Sequence, residues 1–201
     1  MLKLLLKLAL AGIASVVLAA LLLARSINGG LDSMNVRNGD WSTSVSAGAE
    51  GAGVMEKAAI AIGGLLASTR ENSMYYRLHT VNGEPLKLGC RYRISGGDYD
   101  ADWWSITAYG WDNYLIPNTA GRYSFNNENL QRDGQGQWDI AVDVNEQAGN
   151  WLPVGPAGAT ETFRLPDNDF DLLLRLYTPG KAYLEQPESA PVPTVTLEGC
   201  P

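Results

Sequence analysis

The hydrophobic pattern of this chain changes character twice. Leu8 to Ala24 is a run of seventeen residues without a charge, preceded by Lys3 and Lys7 and closed by Arg25. At 1.5 Å per residue it extends roughly 26 Å as a helix. Adding Leu4 to Leu6 brings it to roughly 32 Å, against a hydrocarbon core of about 30 Å, with Lys7 snorkelling back to the headgroups. The pattern predicts a single N-terminal transmembrane helix over residues 1–25. A cleaved signal peptide competes for the same residues. Its apolar region is ordinarily shorter, however, and the small-x-small triplet here, Ala24-Arg25-Ser26, carries an arginine. No cysteine follows the run to carry a lipid. Lys3, Lys7 and the amino terminus precede the span and only Arg25 follows closely, so the expected orientation leaves the amino terminus in the cytoplasm. The body of the protein is then expected outside the cytoplasm.

Residues 26–52 are rich in Gly, Ser, Asn and Asp and predict a tether. Within Val54–Thr69, Met55, Ala58, Ala59, Ile62, Leu65 and Leu66 recur at helical spacing. The uncharged core of that segment is too short to span a bilayer, so a helix packed on a sheet is expected. Beyond Ser73 the period shifts to two. Met74–Val81 ends in the turn Asn82-Gly83-Glu84-Pro85, and Cys90, Tyr92 and Ile94 alternate with Arg91, Arg93 and Ser95. Trp103–Tyr109 is apolar on both faces, as a central strand is. Trp138–Val144 and Leu172–Tyr177 alternate again, and Tyr123–Phe125, Thr162–Leu165 and Thr194–Leu197 are shorter candidates. The expected body, residues 53–201, is a mainly β, antiparallel β-sandwich or jelly-roll-like domain with one packed helix.

Charge narrows the partners. Without Lys3, Lys7 and Arg25 the chain keeps twelve Lys and Arg against twenty-two Asp and Glu, a net −10. Phosphates repel such a body, which argues against nucleic acid and against lying flat on anionic lipid. The lipid contact is then the helix alone. Cys90 and Cys200 are the only cysteines. In an exported chain they are expected to pair, closing a loop of about 110 residues that the chain-entropy model values near 4.7 kcal/mol. Two unrelated thiols are the alternative.

Signatures of catalysis are sparse. His79 is the one histidine, so no HExxH metal site exists and a serine triad would have to use it; its alternating strand segment makes it structural. No GxSxG, Walker A or GxGxxG motif occurs. Asp98-Tyr99-Asp100-Ala101-Asp102 opens like a calcium loop, but Trp103 replaces the glycine and Tyr109 the twelfth-position glutamate. A solvated acidic loop is expected there, with a looser calcium site as the alternative. These aspartates would serve a glycosidase only if two stood at the required separation. No metal or cofactor is expected. Aromatic residues concentrate at Trp103, Trp104, Tyr109, Trp111, Tyr114 and Tyr123, with Trp138, Trp151 and Tyr177 further on. Rings beside carboxylates and amides suit sugar recognition; they also fill sandwich cores. Strand parity puts Trp103 on one face with Tyr109 and Trp104 on the other.

Trp103-Trp104-Ser105-Ile106-Thr107-Ala108-Tyr109, Asn118, Arg122-Tyr123-Ser124, Asn150-Trp151-Leu152-Pro153 and Arg175-Leu176-Tyr177-Thr178-Pro179 resemble the bacterial domain of unknown function 1214. Gly39-Asp40-Trp41 and the segment running into Tyr75-Tyr76 also resemble it. The resemblance implies a β-sandwich and supplies no catalytic residues. Many relatives carry a companion domain, number 1254, ahead of this one; here a membrane segment and tether take its place, which implies a separate polypeptide as partner. In the family blocks, Trp151 is expected to cap one end of the sandwich and Asn150 to bond loop backbone. Arg122 and Arg175 are expected to pair with carboxylates. The candidate ligand- or partner-binding set is Trp103, Tyr109, Trp111, Arg122, Trp151 and Arg175. Three readings remain: an envelope binding module without chemistry of its own, whose partner is a protein or envelope glycan; an envelope carbohydrate hydrolase using acids of Asp98–Asp112; or a structural subunit for a polypeptide bearing the companion domain.

Overall fold

The computed structural model describes residues 2–46, 48–49, 51–54, 57–58, 68–110, 112–155 and 169–200. It opens with helix α1, Leu2–Met34. Among the described residues no helix is long and apolar enough to cross a membrane. The transmembrane helix expected over residues 1–25 is thus not supported by them. The unbroken stretch of α1 whose side chains are described, residues 7–23, falls short of a full span.

The expected tether is corrected. Helix α1 continues past Arg25, and strands β1 (Asn35–Asn38) and β2 (Trp41–Ser44) form an antiparallel hairpin around Gly39, whose φ of +60° suits glycine. A polar segment becomes sheet here because of a few long-range anchors. Trp41 is buried and its Nε1 donates to the Pro193 carbonyl at 2.7 Å. The Asn38 amide donates to the carbonyls of Pro187 at 3.0 Å and Ala190 at 2.7 Å. The helix expected over Val54–Thr69 falls largely, and the strand over Thr162–Leu165 wholly, outside the described residues.

The remaining elements are β3 (Ser73–Leu78), β4 (Thr80–Val81), β5 (Glu84–Pro85), β6 (Arg91–Gly96), β7 (Ala101–Gly110), β8 (Ser124–Asn126), β9 (Trp138–Asp143), β10 (Trp151–Pro153), β11 (Phe170–Pro179), helix α2 (Lys181–Glu185) and β12 (Thr194–Gly199). They build a six-stranded sheet, β1-β2-β3-β11-β7-β8, a four-stranded sheet, β10-β9-β6-β12, and the small β4-β5 hairpin. Asn82 and Gly83, both at positive φ, turn that hairpin. Pairing is antiparallel except between β9 and β10. Among the described residues the division into six and four differs from the two four-stranded sheets of a jelly roll.

Alternation explains the packing. Tyr92 and Ile94 of β6 enter the core, while Arg91 and Arg93 point out and pair with Glu198 of β12 at 2.9 and 2.5 Å. One core joins both sheets: Trp104 of the large sheet stacks on Trp138 of the small one at 5.4 Å, and Tyr92 meets Phe170 edge-on at 5.8 Å. The proline-rich tail is held by its carbonyls, the only backbone polar group a proline offers. Pro187 accepts from Tyr76 Oη at 3.0 Å, Pro191 from Tyr183 Oη at 2.8 Å, and Pro193 from Trp41. Cys90 and Cys200 form a disulfide that closes the end of the β6–β12 ladder, beside the Arg91–Gly199 pair.

Candidate functional site

The face of the six-stranded sheet turned away from the core carries the chemistry. On β3, β11 and β7 the register sets Tyr75 and Ser105 on either side of Arg175, Arg77 and Thr107 on either side of Leu173, and Ser73 and Trp103 on either side of Tyr177. Their chain neighbours Met74, Tyr76, Leu172, Leu174, Leu176, Trp104 and Ile106 point inward. An alternation with period two therefore displays arginines and rings on one side of strands whose other side is apolar.

Two polar clusters hold that face. Asp171, nearly buried, stands with Oδ1 2.5 Å from His79 Nδ1 and Oδ2 3.8 Å from Arg77 Nε. Arg77 Nη2 donates to Asn113 Oδ1 at 2.5 Å, and Asn113 takes a positive φ of 62° in the loop that brings it there. In the second cluster Arg175 donates to Tyr109 Oη and its guanidinium lies 5.4 Å over that ring. Beside it Trp103 and Tyr177 meet edge-on at 5.4 Å, with Tyr177 40% exposed. The Asp171–His79 pair orients an imidazole as an acid–base dyad does. Among the described residues, though, no serine, threonine or cysteine side chain bonds to His79, so the nucleophile–base contact of a triad is missing.

The candidate residues divide. Trp103 and Tyr109 share the outer face as parity required, and Arg175 joins Tyr109 there while Trp103 meets Tyr177. Trp111 lies outside the described residues. Arg122 and Trp151 stand elsewhere and act in architecture. Arg122 Nη1 donates to the Trp151 carbonyl at 2.8 Å and its guanidinium lies over Phe125, tying the β8 edge of one sheet to the β10 edge of the other. Trp151 is buried and donates to the Asp143 carbonyl at 2.8 Å. Among the described residues neither arginine takes the expected carboxylate: Arg122 takes a backbone carbonyl and Arg175 a phenol, acceptors that lie across the strand ends and the sheet face from them. Asn150 bonds loop backbone as expected, with its amide on Gln131 and Asp139 carbonyls and its Oδ1 on the Gln131 N–H.

Of the acids in Asp98–Asp112, two make local bonds. Asp98 Oδ1 accepts from Trp104 Nε1 at 3.3 Å and meets Arg132 at 3.2 Å, and Asp112 Oδ1 accepts the Tyr114 N–H at 3.1 Å. Among the described residues no group of three or more His, Cys, Asp or Glu is placed to hold a metal ion. Sequence reasoning missed Arg77, Asn113, Asp171 and the role of His79. One signal was present: Asp171 breaks the apolar run Phe170–Leu174 in a strand flanked by partners on both sides.

The model of the family described as "Protein of unknown function (DUF1214)" matches residues 71–181. The chain belongs to that family. The DUF1214 segment contains β3, β7 and β11 entire, and with them the whole outer-face constellation; α1, β1, β2 and β12 lie outside it. No curated protein matches the chain. Among solved structures, the VPA0106 protein from Vibrio parahaemolyticus is similar with a TM-score of 0.57 at 20% identity, over 74% of this chain and 36% of that one. At that identity the likeness speaks for the fold alone, and the chain spans about a third of the Vibrio protein's length. A protein from Burkholderia cenocepacia aligns over 65% of this chain and 30% of its own at 16% identity, with a TM-score of 0.36, too low to bear on the fold. The DUF1214 match thus fixes kinship and leaves activity to the site.

Proposed function

We propose that this DUF1214 protein is a membrane-anchored, periplasmic binding module of the bacterial cell envelope, without chemistry of its own, whose recognition surface is the outer face of the six-stranded sheet. The observation that carries the anchor is α1 itself. Nine large apolar side chains between Leu8 and Leu23 are each 52–71% exposed. At 100° per residue they occupy its whole circumference. A helix apolar all round belongs in a protein core or in lipid, and none of these nine packs in the core. Each such side chain gains about 1.5–3 kcal/mol on leaving water. With the charge-free run of the sequence this favours a single span, and the Cys90–Cys200 cystine favours an oxidising compartment.

Recognition is favoured over hydrolysis because Asp98 and Asp112 serve loop and turn bonds, while Arg77, Arg175, Trp103 and Tyr177 share an outer face. Exposed rings and guanidinium groups are the residues on which interfaces most often depend. The test is alkaline extraction of membranes holding the full chain, followed by co-purification in mild detergent. The protein is expected to stay with the membrane and bring a partner that Arg175→Ala and Tyr177→Ala release. Release of the chain by alkali, or elution alone under gentle conditions, would overturn the respective half of the reading.

A further inference from the structure

At the end of the sandwich where β6 and β8 finish and β7 and β9 begin, an open cleft of about 460 Å³ is lined by Asp98, Asn127, Arg132, Gln135, Gly136 and Gln137. A second cleft of about 170 Å³ adjoins it through the shared Gln137, with Ser95, Gln131 and Asp139 among its walls. We infer that this double cleft is a binding site for a neutral polyhydroxylated ligand, an oligosaccharide of at least two units.

Three features select that chemistry. First, the charged groups are already hydrogen-bonded within the protein. Arg132 Nη2 meets Asp98 at 3.2 Å and its Nη1 donates to the Gly136 carbonyl at 3.0 Å. Asp133 Oδ1 accepts the N–H groups of Gln135 and Gln137, and Asp139 accepts from Ser95 at 2.5 Å. An anion would find the one guanidinium paired and three carboxylates around it, and one oxygen of each of Asp98, Asp133 and Asp139 is already bonded within the protein. Secondly, the walls are amides, which both donate and accept and so match hydroxyl groups, which do the same. Thirdly, Asn127 Oδ1 is buried at the wall of the larger cleft and has no hydrogen-bond partner. A buried acceptor without a donor is costly, and turning the Asn127 amide into the cleft would bring it to a ligand hydroxyl. The volume lies in the range of small-molecule sites, and the shared Gln137 makes the two clefts consecutive subsites. Trp138 beneath is buried, so hydrogen bonds rather than ring stacking read the sugar, and affinity for one disaccharide is expected on the order of 1 mM. The site lies apart from the outer-face residues and stands whether or not those bind a partner.

The experiment is saturation-transfer NMR on the full chain in a detergent without sugar headgroups. The probes are glucose, cellobiose, N-acetylglucosamine, chitobiose and glucose 6-phosphate. At least one disaccharide is expected to receive saturation and to bind more tightly than its monosaccharide, with glucose 6-phosphate no better than glucose. Asn127→Ala removes no internal side-chain bond and is expected to weaken binding about tenfold, close to the upper end for one hydrogen bond. Gln137→Ala is expected to abolish the advantage of the disaccharide. Absence of transfer to every sugar at about 100 mM, a preference for the phosphate, or affinity untouched by both variants would each overturn the assignment.

Discussion

The two faces of β3, β11 and β7 share one backbone and do opposite things. Inward, Tyr76, Trp104, Ile106, Leu172, Leu174 and Leu176 are fully buried and hold both sheets together. Outward, one residue away along each strand, Arg77, Trp103, Tyr109, Arg175 and Tyr177 keep part of their surface in solvent. Since the side-chain period of a strand is two, neighbouring residues carry separate duties without separate elements. Under the function proposed above, the inner face holds the fold and recognition falls to these half-exposed outer residues, around the buried Ser105, Thr107 and Leu173.

The division breaks first, and most severely, at the inner face. Trp104→Ala removes the ring that stacks on Trp138 and meets Tyr99 edge-on, and is expected to cost about 3–5 kcal/mol in denaturant unfolding. Replacing both Cys90 and Cys200 by serine is expected to cost about 2–4 kcal/mol, read as a lower urea midpoint, since it frees a loop of 110 residues in the unfolded chain.

Buried hydroxyls sharpen the comparison within the inner face. Tyr76 and Tyr183 donate to tail carbonyls, so Tyr76→Phe and Tyr183→Phe should each lose about 1 kcal/mol. Tyr99 Oη is buried without a partner, and Tyr99→Phe should leave stability unchanged or raise it. Burial lifts the pKa of all three phenols above the ordinary tyrosine value, aided by Glu188 at Tyr76 and by the neighbouring tyrosine at Tyr99 and Tyr183. Above about pH 10 the unfolded chain loses phenolic protons that the folded chain keeps. Their contribution is therefore complete below that pH and declines as pH rises, so a denaturation series from pH 9 to 12 should slope downward, less steeply for Tyr99→Phe. The smallest change in stability is expected outside: Arg175→Ala should stay within about 1 kcal/mol while releasing the partner.

Much of this plan was legible in the sequence. Strands β6, β7, β9 and β11 announce themselves by alternation or by continuous apolar runs, and parity alone placed Trp103 with Tyr109. What stayed hidden depends on contacts far apart in sequence. The β1–β2 hairpin is polar and becomes sheet through Trp41 and Asn38 bonding a tail some 150 residues away. The three-residue β10 is too short to carry a period, and its parallel pairing with β9 has no local signature. His79 and Asp171 are separated by 92 positions, so no spacing rule links them. Arg122 was expected to hold loops through a carboxylate or to contact a ligand, and its observed bond to the Trp151 carbonyl had no local signal, the two residues being 29 positions apart.

The division of labour between the faces is tested most directly by photo-cross-linking in intact membranes, with the reactive group placed either at Tyr177 on the outer face or at Leu197 on β12 of the other sheet. Both side chains are exposed, 40% and 50% respectively, so access is comparable. A discrete adduct from position 177 and none from position 197 is the expected result. Adducts from 197 alone, or equally from both, would contradict a recognition surface on the six-stranded sheet.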